Sequence, residues 1–172
     1  MDNQAIARVL HEIADILEIK GENHFRTRSY RMAAESVESL GRELADLVRG
    51  GEPLTTLPGV GPGIAAKVEE LVRAGACAYH QDLLAEVPPA LLELLKLPGL
   101  GPRGVSLIFT RLGVRSAEEL EAAIADGRFR TLPGMKEKKE ARILKGLRDR
   151  RAADTTSIGL RPSGRDASRP RR

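Results

Sequence analysis

Three short runs hold the groups in this chain best suited to chemistry: Leu57-Pro58-Gly59-Val60-Gly61, Leu97-Pro98-Gly99-Leu100-Gly101 and Leu132-Pro133-Gly134-Met135-Lys136. The chemistry is anion binding. A glycine-rich turn entering a helix aims several backbone N–H groups one way, at the positive end of the helix dipole. Pro62 and Pro102, which suit the first helical position, follow the first two runs. A row of such sites matches a phosphate backbone. A single Pro-Gly pair also serves simply to turn the chain, but three copies with matching apolar surroundings favour the anion-binding reading.

Aligned on their Pro-Gly pairs, the copies match Ala65 with Val105 and Glu140, Val68 with Ile108 and Ile143, and Leu71 with Arg111 and Gly146. The first two agree well. The third departs, because Lys136 replaces the second glycine and Glu140 a small core residue. If that glycine needs a positive φ, Lys136 impairs the turn; otherwise Lys136 adds a phosphate-pairing charge, with Lys138 and Lys139 beside it. Two competent hairpins and one mainly structural hairpin are expected. The residues expected on phosphate are Gly59, Val60, Gly61 and Gly63 in the first copy, and Gly99, Leu100, Gly101, Arg103 and Gly104 in the second, with Lys136 and Lys138 in the third. Arg26, Arg28 and Arg31 form a basic cluster, with Glu22 and Glu35 the nearby acids, and bidentate arginine contacts suit a 5′-phosphate.

Helices must position these groups. Ile6, Val9, Leu10, Ile13, Ile16 and Leu17 make one helical stripe, ended by Gly21 and Asn23. A second helix is expected from near Arg28, burying Ala33, Ala34, Val37 and Leu40, and a short third one from about Arg42 to Arg49. Each hairpin then launches a helix, with further helices through Leu83 and from Ala90 to Leu95. Ser116-x-x-Glu119 reads as a capping box. The pattern is all-α, helix and turn throughout, in two small subdomains, 1–76 and 77–150. Residues 151–172, rich in Arg, Ser, Pro, Gly and Thr, cannot bury enough surface to offset their ordering entropy and are expected to be disordered.

Composition sets limits. With no Trp, three Phe and two Tyr, the core must come from Leu, Ile, Val and Ala, which favours helix packing over a β-sandwich. No stretch reads as a membrane span or signal peptide. The one cysteine, Cys77, leaves no internal disulfide and no multi-cysteine zinc site. A cytoplasmic, nucleoid-associated protein is expected. Of the 28 basic and 24 acidic residues, six arginines and two aspartates lie between Arg151 and Arg172, so residues 1–150 carry no net charge. Any nucleic-acid surface there must come from local clustering and backbone amides.

The repeated run is the helix-hairpin-helix pattern, and residues 1–150 resemble the N-terminal half of a bacterial family X DNA polymerase. The resemblance is carried by Asn3-Gln4-Ala5-Ile6-Ala7, by Asn23-x-Phe25-Arg26-x-Arg28-x-Tyr30-Arg31-x-Ala33-Ala34, by the first two hairpins with Val87-Pro88-Pro89 between them, and by the third Leu-Pro-Gly with Ile143-Leu144. It implies a lyase-type domain gripping the 5′-phosphate side of a gap, and a second hairpin holding the other side. It also implies that Lys67 is the Schiff-base lysine, with Tyr30 and Arg31 in its pocket. Gly63 and Phe25-Arg26 differ from the lysine and the His-Lys pair of animal members. The backbone carbonyls of Thr55, Leu57 and Val60, and of Leu95, Leu97 and Leu100, are implied ligands of a monovalent cation, Na+ or K+; no other cofactor is expected.

No Asp-x-Asp occurs in the sequence, so the family's two-metal phosphoryl transfer is not expected of this chain. The leading expectation is sequence-nonspecific binding of gapped, nicked or 5′-phosphorylated DNA in repair. The alternatives are an abasic-site lyase working through Lys67, and an interaction module for a repair polymerase or ligase.

Overall fold

The computed structural model describes residues 1–159, with side chains as far as 155. Nine α-helices lie among the described residues: α1 Asn3–Ile19, α2 His24–Glu38, α3 Leu44–Arg49, α4 Pro62–Ala74, α5 Ala78–Glu86, α6 Pro89–Leu94, α7 Pro102–Leu112, α8 Ala117–Ala125 and α9 Glu137–Gly159. Single 3-10 turns at Leu54–Thr56 and Phe129–Thr131 lead into the first and third hairpins. No strand occurs among the described residues, and no helix there is long and apolar enough to cross a membrane.

The first helix is the centre of the molecule. Its stripe Ile6, Leu10, Ile13 and Leu17 is buried, and so are Ala7, Ala14, Ile16 and Ile19 on the adjoining face. Two faces are covered because α2 packs along one and α5 and α7 cover the other. The halves are also tied by polar contacts. Ser106 Oγ donates to the carbonyl of Ile19 at 2.7 Å, and His80 Nε2 lies 3.0 Å from Glu12 Oε1. Glu70 on α4 accepts from the amide of Ala78 at 2.9 Å, capping α5, whose own N-cap Cys77 makes no side-chain cap bond. Buried Asn3 does the same for α3: its amide donates to Arg42 O and its Oδ1 accepts from Leu44 N. One continuous set of buried residues runs from Ile6 to Leu147 across both expected subdomains.

Two boundaries differ from the sequence reading. Asn23 does not end the first helix; it caps the second, accepting from Phe25 N at 2.8 Å, so α2 begins at His24 and not near Arg28. The last helix runs beyond 150 into the stretch expected to be disordered. It is held there by Arg150, which donates to Glu93, and by Arg151, which donates to Glu121 at 2.6 Å. Residues 160–172 of the expected disordered tail lie outside the described residues.

Candidate functional site

The three Leu-Pro-Gly runs form one backbone structure. In each, the first glycine has positive φ: Gly59 at 79°, Gly99 at 84° and Gly134 at 74°. The residue after it donates back to the leucine carbonyl, from Val60, Leu100 and Met135, at 3.1 to 3.2 Å. The side chains of those three are buried plugs. The next residue accepts the first helical bond, Ala65 to Gly61, Val105 to Gly101 and Glu140 to Lys136, at 2.9 to 3.0 Å.

This geometry corrects four expectations. Gly61 and Gly101 have φ of −85° and −100°, extended backbone open to any residue, so Lys136 does not impair the third turn. The amides of Val60 and Leu100 close the turns and are not free for an anion. The amides that enter the helices, those of Gly61, Gly63 and Ile64 and of Gly101 and Arg103, donate to no backbone carbonyl, and neither do those of Gly59 and Gly99. Gly104 is a packing position: a Cβ there would meet Leu100 Cδ1 at 2.8 Å. Glu140, aligned with small core residues, is buried because Arg130 donates to it at 2.8 Å.

Each of the first two turns rests on a helix. A Cβ on Gly59 would lie 2.5 Å from Met32 Cβ and 2.8 Å from Ala33 N, and Ser36 Oγ donates to Pro58 O at 2.6 Å. Leu97 and Pro98 lie against Gly146 of α9, which brings Lys139 and Arg142 alongside Gly99. Gly59 is thus a turn-forming, close-approach position, while Gly99 forms its turn with only ordinary contacts and is exposed, as are Gly61 and Gly63.

Beside the first turn, the fold gathers six of the expected site residues. Arg26, Tyr30, Gly59, Gly61, Gly63 and Lys67 line one cleft of about 300 Å³, joined by Ser29 and Ile64. Lys67 is half-buried; its Nζ donates to Gly63 O at 3.3 Å and lies 4.7 Å from the centre of the Tyr79 ring. The Arg26 guanidinium covers the same ring at 5.4 Å, and Tyr30 stacks on it with centroids 6.3 Å apart. Two cations lie over one aromatic ring, attracted by its quadrupole, and both line the cleft. Tyr79 escapes sequence reasoning because it lies on α5, beyond the expected boundary at 76. Only its place among the chain's two tyrosines marks it out.

Arg31 leaves the expected cluster. It donates to Asp15 at 2.9 Å and to Glu18 at 2.8 Å on α1, so its charge is already paired. These acids lie a helix away in sequence, invisible to local counting. Arg28 is exposed and makes no ion pair among the described residues. Arg103 lines a different cleft of about 360 Å³ together with Glu18, Glu22 and His24, a mixed-charge setting less suited to a phosphate. Lys136 and Lys138 are exposed at the third turn.

Burial pushes the Tyr30 hydroxyl up to about 12 and raises that of Tyr79 as well. With the folded value above the ordinary 10, the protonated phenol favours the fold. That contribution is complete below pH ~10 and lost as pH rises toward ~12, by about 1–2 kcal/mol. Ultraviolet titration of the two tyrosines should show both ionising late. Tyr30→Phe should flatten the fall in urea midpoint between about pH 10 and 12.

The chemistry of the carbonyl set fits the implied cation. Three residues on from Thr55 and Leu95 stand Pro58 and Pro98, which lack an N–H, so neither carbonyl has a donor at turn spacing. Leu57 and Leu97 use one lone pair on the turn bond and keep a second.

Comparison with known proteins agrees with this geometry. The family description "Helix-hairpin-helix domain" matches residues 1–77, and "SAM-like Helix-hairpin-helix tandem" matches residues 91–149. The chain is 34% identical over 147 residues to the DNA polymerase/3′-5′ exonuclease PolX of Bacillus subtilis (strain 168), covering 86% of this chain and 25% of that protein. It is 30% identical over 105 residues to the Holliday junction branch migration complex subunit RuvA of Acidovorax sp. (strain JS42) and of Acidovorax ebreus (strain TPSY), 61% of this chain and 54% of theirs. The chain therefore spans about a quarter of the first relative's length and about half of the other two. Three turns closed by the same bonds, each feeding a helix, make this an all-helical tandem helix-hairpin-helix protein, similar to the N-terminal region of a family X DNA polymerase.

Proposed function

We propose that this chain binds DNA through its phosphate backbone, without reading sequence, and prefers gaps, nicks and 5′-phosphorylated ends in DNA repair. The observation that carries the reading is the cleft beside the first turn. Free amides of Gly61 and Gly63, Arg26 and Lys67 converge on about 300 Å³, and no carboxylate among the described residues lines it. The second turn, with Lys139 and Arg142 alongside, supplies a second grip, and Lys136 and Lys138 a third. Sodium or potassium on the hairpin carbonyls belongs to the same reading, as a counter-charge to the phosphate.

Fluorescence anisotropy with a one-nucleotide-gapped duplex, with and without the 5′-phosphate, tests this. Tighter binding of the phosphorylated form by about tenfold is expected from charge-assisted contacts; equal binding of the two forms counts against the cleft.

The placement of Lys67 favours a second reading, an abasic-site lyase. Its amine would add to C1′ of a ring-opened abasic sugar and lose water to form an imine. Removal of a C2′ proton then expels the 3′ phosphate oxygen, and water releases the unsaturated sugar from Lys67. Borohydride should trap a covalent adduct with the wild-type chain and none with Lys67→Ala. Absence of an adduct in the wild type removes this reading and leaves DNA binding intact.

A further inference from the structure

Arg26 and Lys67 come from different helices, α2 and α4, and meet over a ring carried by a third. That ring, Tyr79, stands in the first turn of α5, where the backbone is fixed. Glu70 accepts from the amide of Ala78 at 2.9 Å, Cys77 is buried, and His80 Nε2 lies 3.0 Å from Glu12 of α1. Tyr30, itself buried, stacks on the ring with the two planes 18° apart. The two cations therefore settle against a surface that has little freedom to turn.

What holds a cation decides whether it can still bind an anion. Arg31 is paired with Asp15 and Glu18, and its charge is neutralised. Arg26 and Lys67 make no ion pair among the described residues. An aromatic ring attracts a cation through its quadrupole, yet brings no negative charge and occupies no N–H group. Lys67 uses one N–H on the carbonyl of Gly63 at 3.3 Å and keeps two. Two like charges are thus held close together with donors open. Without the ring, each long side chain would lose its rotamer freedom only when a ligand arrived, and affinity would fall accordingly.

The number of charges selects the ligand. A phosphate inside a strand is a monoanion, whereas one that ends a strand is a monoester, close to doubly charged at neutral pH. A preset pair of cations beside the amides of Gly61 and Gly63 matches the monoester and exceeds the diester. We infer that Tyr79 is a positioning residue for this cleft: its ring presets Arg26 and Lys67 side by side and so confers the preference for a terminal phosphate monoester over the diesters of a continuous strand. This inference rests on the DNA-binding reading and names the residue behind its selectivity.

Fluorescence anisotropy should compare a one-nucleotide-gapped duplex carrying a 5′-phosphate with the same duplex ending in a 5′-hydroxyl. Tyr79→Phe keeps the ring and should hold the ratio of the two affinities within about twofold of the wild type. Tyr79→Leu keeps apolar bulk without the quadrupole and should lower that ratio about fivefold. A ring that only filled space would lower both affinities alike and leave the ratio unmoved. In the Arg26→Ala, Lys67→Ala background, Tyr79→Leu should not weaken binding of the phosphorylated gap further, because a positioning residue acts only through what it positions. If Tyr79→Leu fails to fold, Tyr79→Met, flexible enough to fill the same space, takes its place. An unchanged ratio in the Leu or Met variant, an equal loss in Tyr79→Phe, or a further loss in the double background overturns the inference and leaves DNA binding standing. Equal wild-type affinity for the two gapped duplexes overturns the cleft reading with it, and no wild-type binding of either overturns DNA binding as well.

Discussion

Gly59→Ala is expected to destabilise the chain by about 2–5 kcal/mol, the largest effect of any single methyl group here. Two costs combine at this position. The backbone stands at φ 79°, where an L side chain loses about 1–2 kcal/mol. The added Cβ would also sit 2.5 Å from Met32 Cβ and 2.8 Å from the backbone nitrogen of Ala33, so α2 must move away from the hairpin. Overpacking of that kind adds about 1–3 kcal/mol. Gly134→Ala is the matched control, with φ 74° and open space around the new methyl, and should lose only about 1–2 kcal/mol. Urea denaturation of the two variants separates turn strain from helix contact; equal losses would mean that the first hairpin does not rest on α2.

The second large effect concerns charge. Arg26→Ala and Lys67→Ala should each erase most of the tenfold preference for a 5′-phosphorylated gap and lower affinity for that duplex about tenfold, because each removes a charge-assisted contact worth about 1.5–3 kcal/mol. Arg31→Ala provides the contrast. Its guanidinium is held by Asp15 and Glu18, so its loss should leave the phosphate preference within about twofold while lowering stability. A loss of preference in Arg31→Ala equal to that in Arg26→Ala would restore the three-arginine cluster expected from spacing alone.

Sequence patterning reached the helices, the turns and most of the first cleft for identifiable reasons. Helical periodicity reports one buried face per helix, so Ile6, Leu10 and Ile13 were legible. The second covered face of α1 depends on α5 and α7, which no local window contains. Pro-Gly runs report turns, and the register that pairs Val68 with Ile108 and Ile143 holds in the structure, where all three are buried. The same runs do not report which amides close the turn. Spacing alone therefore places Val60 and Leu100 on an anion, although their N–H groups are already bonded. Long-range pairs were the other blind spot. Asp15 and Glu18 claim Arg31, Arg130 pairs with Glu140, and Tyr79 reaches Arg26 and Lys67 from the following helix. Asn23 was read as a stop because Asn serves both ends of helices; its side-chain bond to Phe25 N shows that it is a start.

The most direct measurement is the affinity of the full chain for a one-nucleotide-gapped, 5′-phosphorylated duplex against the intact duplex, at 50 and 200 mM salt. Binding through the hairpins and the Arg26–Lys67 cleft requires the gapped duplex to win by about tenfold or more. Four to six displaced counterions should weaken that binding by roughly 10²–10³-fold over the fourfold rise in salt. Equal affinity for both duplexes would contradict the role of the cleft, and a flat salt response would contradict phosphate recognition itself.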